Sequence, residues 1–260
     1  MARLSVYLSI YKTALKSRAE YRIDTAVGII TATAMQLASF AFFWVVFSRA
    51  PVLGGWQPAE VLLLFGLTAM VLGLSEATIN GIWWLPFYVA DGQLDRLLVY
   101  PVNSLTFVLL SRPELHAVGN FATGVVTVAI AWPMVAPPPL ALLLIPYWVV
   151  AGAIVYTSVL IVCGALVLKS SGPFATHLFA VHQLFNTSRY PASIYPRWLK
   201  ALVLFALPFG APIFVPADWL RGQGSLLLAL IAPALAALFT LAVATLSWNA
   251  AVKGYQSTGS

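Results

Sequence analysis

Long apolar runs alternate with short polar breaks along this chain, and the run lengths set the first constraint. Six stretches are nearly free of charge: residues 23–47, 61–82, 118–135, 140–168, 174–187 and 226–250. A helix needs ~20 apolar residues to cross a hydrocarbon core of about 30 Å. No stretch shows the ~10-residue alternation of a membrane barrel. The pattern predicts an all-α integral membrane protein of six transmembrane helices, each satisfying its backbone groups internally. A seventh apolar patch, residues 201–215, is cut by Pro208 and Pro212 and followed by Pro216. Proline removes a donor and clashes with the preceding turn. This patch is therefore expected to be broken or re-entrant; a full crossing would put the C-terminus on the side opposite the N-terminus.

Ahead of the first span, Leu4, Tyr7, Leu8, Tyr11 and Leu15 recur at three- and four-residue steps, with Arg3, Lys12, Lys16 and Arg18 mostly off that stripe. This predicts an amphipathic interfacial helix over residues 1–22. A plain basic stop signal for topology is the alternative. Charge spread throughout the segment argues against a cleavable leader, so it is expected in the mature protein.

Composition sharpens the picture. The 260 residues are 61% hydrophobic and 8% charged, against roughly 45–50% and about 25% in globular domains. The net charge of +6 could suggest nucleic acid, but the cations sit at span boundaries, where they set topology. With six crossings, Arg3, Lys12, Lys16, Arg18, Arg22, Arg96, Arg112, Lys169 and Lys253 share the side of both termini. Arg49, Arg189, Arg197, Lys200 and Arg221 fall opposite. Short basic loops stay cytoplasmic, so both termini are expected inside. Trp44, Trp56, Trp83, Trp84, Trp132, Trp198, Trp219 and Trp248 lie near span ends, where indole rings favour the headgroup region, and Trp148 is the exception. Cys163 is the only cysteine and lies in an apolar run, so neither a disulfide nor a metal site is expected.

One polar run stands out. Between the second and third spans the chain reads Asp91, Gly92, Gln93, Leu94, Asp95, Arg96, Leu97, Leu98, then Pro101. Asp91 can cap a helix and Gly92 relax its entry. Leu94, Leu97 and Leu98 share a face while Asp95 and Arg96 point elsewhere. Pro101 ends the element after about two turns. The expectation is a short rod, apolar on one side and charged on the other.

The run D-G-Q-L-D-R-L-L-x-x-P-V-N resembles the signature of bacterial ABC-2 type transporter permeases, the six-span membrane subunits of ABC exporters. A second stretch supports the resemblance: R-Y-P-A-S-I-Y-P-R-W-L-K from Arg189, then L-P-F at Pro208 and V-P-A at Pro216. Span number and spacing fit over almost the whole chain. The resemblance implies a permease domain over residues 23–260, with a cytoplasmic coupling helix at 87–100 between spans two and three. It also implies an external re-entrant hairpin at 190–217 between spans five and six, involving Tyr190, Pro191, Tyr195, Pro196, Pro208 and Pro216. It further implies a second permease, identical or related, and two separate ABC ATPase subunits that carry ATP and magnesium. The chain itself is expected to bind no cofactor and to have no catalytic residue. A phosphate-binding loop needs a Gly-Lys pair, and no such pair occurs. The plain alternative for the polar run is an amphipathic loop resting on lipid headgroups.

Ionisable and amide groups inside apolar spans face protein or water. Asp24 is expected to pair locally with Arg22 at the interface. Glu76 and Asn80 share a face of span two, and either line a cavity or bond across helices. His182, Gln183 and Asn186, with His177, make span five the most polar; they line a substrate pathway or bond between helices. His177 and His182 lie five apart and lack the four-residue spacing of a zinc pair. His116 beside Glu114 is expected to be solvated at the interface. Ala69, Gly73 and Ala77 in span two, and Gly119, Thr123 and Thr127 in span three, permit close helix approach within one subunit or across a dimer. An intramembrane enzyme would need a convergent nucleophile and base, and a secondary transporter would need broken spans in both halves. No motif joins Glu76, His116 and His182, and only the region near Pro208 to Pro216 is broken; these two classes stand as the alternatives. The family resemblance, with the apolar spans, implies export of a hydrophobic, amphipathic or lipid-like molecule.

Overall fold

The computed structural model describes residues 4–20, 22–168 and 175–255, and these are all-helical. Arg3, Lys169 and Phe174 lie outside the described residues, as do the side chains of Arg22 and Asp24 and the pairing expected of them. In chain order the helices are α1 Leu4–Glu20, α2 Arg22–Arg49, α3 Pro58–Ile79, α4 Leu85–Ala90, α5 Gln93–Val99 and α6 Ser104–Leu110. They continue as α7 Ala117–Val135, α8 Ala141–Val167, α9 Ala175–Asn186, α10 Arg197–Ala201, α11 Gly210–Leu220 and α12 Leu226–Lys253. A 3₁₀ turn, Asn80–Trp84, joins α3 to α4, and a π-helical turn, Leu202–Ala206, continues α10.

Among the described residues, five stretches are long and apolar enough to cross a membrane: Thr25–Arg49, Pro58–Ala90, Ala117–Val135, Ala141–Val167 and Leu226–Lys253. The fifth run expected from the sequence, residues 174–187, yields the 12-residue helix α9. At about 1.5 Å per residue it spans only ~18 Å, so the described helix by itself falls short of a crossing. The apolar patch between α9 and α12 forms two helical pieces, Arg197–Ala206 and Gly210–Leu220, bent by 103°. Counted as one span, this pair would bring the total to six.

α3 and α8 form the heart of the bundle, α3 packing on α7 and α8 on α12. The α3–α7 seam rests on glycine. A Cβ at Gly73 would sit 2.4 Å from the Phe121 backbone nitrogen, and one at Gly124 would sit 2.7 Å from the Gly66 carbonyl oxygen. Gly66, Gly73 and Gly124 therefore bring two backbones together within the subunit. Gly119, expected on such a stripe, faces open space. Along α2 almost no residue is buried, and Ile30, Met35 and Trp44 project outward.

Tryptophan takes two roles. Trp44 and Trp198 are exposed, as interfacial rings should be, whereas Trp56, Trp148 and Trp248 are buried. Trp148 has a particular task. Pro233 cannot donate to the carbonyl four residues back, and the Trp148 indole Nε1 donates to that carbonyl, Ala229 O, at 2.8 Å. Trp248 likewise donates from Nε1 to Ser104 Oγ at 3.2 Å, tying α12 to α6.

The N-terminal helix is strapped to the bundle rather than lying free. Tyr11 Oη donates to Ala77 O at 2.9 Å, the Asn103 backbone N–H donates to Tyr7 Oη at 3.0 Å, and Arg18 pairs with Glu114 at 2.8 Å. Only part of the expected apolar stripe turns inward, since Leu4 and Leu8 stay exposed.

Candidate functional site

Three features could carry function: a polar cavity within the bundle, an elbow at one end and a clasp at the other. The cavity, about 700 Å³, lies between α2, α3, α7, α9 and the turn after α9. Glu76, His182, Gln183 and Asn186 line it, joined by Gln36, Asn120 and Arg189. A smaller cavity of about 400 Å³ shares Glu76, His116, Phe179 and His182 and adds Asn80 and Trp83. The structure thus gathers all five residues of Glu76, Asn80, His182, Gln183 and Asn186 around adjoining spaces.

Hydrogen bonds link three helices across this region. Gln36 Nε2 donates to Asn120 Oδ1 at 3.0 Å, and Asn120 Nδ2 donates to Glu76 Oε2 at 3.1 Å. Glu76 therefore both lines a cavity and bonds between helices. His182 Nδ1 lies 2.8 Å from Tyr156 Oη, with the Trp83 ring edge-on at 5.7 Å. Asn186 Nδ2 donates to His182 O at 3.1 Å within its own helix. That leaves Asn186 Oδ1, Gln36 Oε1 and Arg189 Nε buried with no hydrogen-bond partner among the described residues. Such groups are costly away from water. Gln36, Asn120 and Tyr156 escaped the sequence reading. The signal for two of them was present in retrospect, since Gln36 precedes Ser39 by three and Asn120 follows His116 by four.

Arg189 lines the cavity with His182 and Asn186 and stacks its guanidinium 4.8 Å from the Phe65 ring centroid. His116 lines both cavities and sits 3.7 Å from Glu114, which Arg18 also engages, with its side chain still 34% exposed.

At the elbow, the apolar stretch Pro58–Ala90 runs for 33 residues, about 50 Å of helix and well beyond a ~30 Å core. The chain then reverses at Gly92, whose φ of 64° favours glycine. Asp91 is not the N-cap of α5. It closes α4, and its Oδ2 accepts from Gln93 Nε2 at 3.3 Å; Gly92 occupies the cap position. The leucine face also points differently from a free rod. Leu94 and Leu97 are buried in the chain's own core and Leu98 is half-buried. Asp91, Gln93, Arg96, Val99 and Tyr100 form the exposed side. Burying a leucine is worth roughly 1.5–3 kcal/mol, so these two residues anchor the rod and leave its polar face free. Pro101 follows outside α5, and Asn103 Oδ1 caps α6 by accepting from the Thr106 N–H at 3.0 Å. Tyr255 lies beside Asp95, where burial and that carboxylate push its phenol up.

At the opposite end, Leu53 and Trp56 pair across Gly54 and Gly55, both with positive φ. Arg221, after α11, donates to Gly55 O at 3.3 Å, pairs with Glu60 at 3.5 Å and with Asp218 at 3.0 Å, and stacks 4.0 Å from Trp56. Ser193 Oγ donates to Gly54 O at 2.7 Å. Both ends of the segment holding Tyr190, Pro191, Tyr195, Pro196, Pro208 and Pro216 are thus held at one loop. Tyr195 Oη donates to Thr187 O at 2.6 Å, and burial, with Tyr190 nearby, pushes its phenol up to about 12.

An all-helical bundle with several apolar spans, a polar interior cavity and a helical elbow beyond the spans defines a multi-pass membrane protein. Its sequence places it further. Residues 33–259 match the model of the ABC-2 family transporter proteins, and the chain belongs to that family as a transmembrane ABC transporter permease. No curated protein matches it. Membership of this family implies association with an ABC ATPase.

Proposed function

We propose that this chain is one permease of an ATP-driven exporter in a bacterial inner membrane, with both termini cytoplasmic. It pairs with a second, identical or related permease and rests on two ABC ATPase subunits, which bind ATP and magnesium. Six crossings are formed by α2, the stretch from α3 to α4, α7, α8, the segment containing α9, and α12. The bent pair of α10 and α11 is the external re-entrant hairpin, a reading supported by its attachment at both ends to the loop at Gly54 and Gly55. The cargo is a hydrophobic, amphipathic or lipid-like molecule, and Glu76, Asn80, His182, Gln183 and Asn186 line its path.

The elbow carries this reading. α5 is pinned from within by Leu94 and Leu97 and joined to α4 by the two-residue turn Asp91–Gly92, and α4 runs through the 3₁₀ turn into α3. A push on its outer side would therefore reach the cavity residue Glu76 without an intervening flexible loop. That outer side, rather than the leucine face, is where an ATPase groove would grip.

Co-purification tests it. Arg96→Glu and Val99→Asp change exposed side chains, where substitutions usually move stability by less than about 0.5 kcal/mol. Each is expected to yield a folded permease that no longer brings down the ATPase. Retention of the ATPase by the double variant, with nucleotide-driven transport intact, would place the coupling surface elsewhere.

A further inference from the structure

We infer that the larger cavity is a headgroup site for a zwitterionic amphiphile drawn from the bilayer, one carrying a primary ammonium beside a phosphate. The inference deepens the permease reading and rests on it. Arg189 and Glu76 line the same cavity, yet they form no ion pair. A direct contact would have neutralised both. Instead a guanidinium and a carboxyl line one space without pairing, which suits a ligand bearing both signs.

The unpartnered atoms specify the ligand further. Arg189 Nε is a buried donor in want of an acceptor, which a phosphate oxygen supplies with charge assistance. Gln36 Oε1 and Asn186 Oδ1 are buried acceptors in want of donors, and Glu76 adds a carboxyl. An ammonium carries three N–H donors and no acceptor, so one such group can serve that set. A trimethylated amine offers no donor and would leave the amide oxygens unsatisfied. The wall indicates the source. Met35 and Phe179 line the cavity and are exposed apolar side chains on α2 and α9. Acyl chains can pass over them into lipid while the head sits inside.

Binding to the purified full-length chain in a non-ionic detergent tests the inference, with tryptophan emission as the readout because Trp83 stands against His182. The probes are dihexanoyl phosphatidylethanolamine, the matching phosphatidylcholine and phosphatidylglycerol, and free O-phosphorylethanolamine. The ethanolamine lipid should bind at least about tenfold tighter than the other three. Arg189→Gln and Glu76→Gln should each weaken it by roughly ten- to hundredfold, the size of a lost charge-assisted bond, while Arg189→Lys should retain most of it. Because a charge-removing variant could misfold, a second measurement keeps both charges. In a Cys163→Ser background, Gln183→Cys should react with a maleimide, and the ethanolamine lipid should slow that reaction. Equal binding of the choline lipid or the glycerol lipid overturns the inference, as does equal binding of the free headgroup or unprotected labelling. If those failures occur in a chain that still co-purifies with an ATPase, only the headgroup assignment falls. If the lipid binds but no ATPase associates, the permease reading falls and the site stands.

Discussion

Gly81→Ala probes the junction through which the elbow connects to the bundle. Gly81 is buried in the 3₁₀ turn between α3 and α4, and an added Cβ would lie 1.7 Å from the Val108 carbonyl oxygen of α6. Contacts below 3.0 Å are essentially never seen, so the α6 backbone must retreat by about 1.3 Å. The obstacle is main chain, which no rotamer change relieves. Retreat also strains a small node, because Ser111 Oγ donates to Val108 O at 2.7 Å and lies 3.0 Å from Tyr88 Oη. Overpacking costs ~1–3 kcal/mol, and a weakened hydrogen bond adds ~0.5–1.5 kcal/mol. The sum, about 2–4 kcal/mol, corresponds to a fall of roughly 5–15 °C in apparent melting temperature for a chain of this size. Gly119→Ala is the matched control, since nothing lies within 4 Å of its Cβ and alanine favours helix by up to ~1 kcal/mol. Thermal unfolding of both variants in the same detergent, followed by fluorescence, makes the comparison. Gly81→Ala melting within a degree or two of wild type would refute the tight junction and, with it, the stiff path from elbow to cavity.

Other consequences are open to similar tests. Trp148→Phe removes the donor that satisfies Ala229 O beside Pro233, and should cost ~1–3 kcal/mol, seen as a lower melting temperature; no change would mean another group fills that role. Arg221→Ala releases Glu60, Gly55 O and the Trp56 ring together, with an expected loss of ~1–3 kcal/mol and faster proteolysis near residues 190–225; an unaltered digestion pattern would count against the clasp. Tyr195 has a phenol raised to about 12 from 10, so the stability it contributes is complete below pH 10 and fades as pH rises through 12. Its replacement by Phe should delete a late-titrating phenol from the ultraviolet titration, and an identical curve would contradict the buried bond to Thr187.

How much of this was legible beforehand depends on whether the signal was local. The apolar run at residues 61–82 and the short polar rod after it are readable because periodicity and length act along one stretch of chain; that the helical stretch runs on to Ala90, leaving the rod only Gln93–Val99, came from the structure. The broken patch around Pro208 was equally plain, since proline acts on its own helix. Asp91 misled because aspartate before a helix usually caps it, whereas here the left-handed Gly92 takes the cap position and leaves Asp91 to close the helix before. Leu94 and Leu97 formed the expected face, but a sequence cannot say whether such a face meets its own bundle or another protein. Arg189 follows the polar face of His182 and Asn186 in the sequence, and only the tertiary structure shows its guanidinium packed on Phe65.

Sequence alone determined that this chain lives in lipid, that its crossings are helical and that a polar rod follows its second span, because hydrocarbon leaves the backbone few alternatives. Tertiary structure decided the rest. It joined Gln36, Glu76 and Asn120 from three helices, set Arg189 beside them unpaired, and turned the leucines of the rod inward. These outcomes depend on which helices become neighbours, and that is settled by close approaches such as Gly73 against Phe121 rather than by any single segment's pattern.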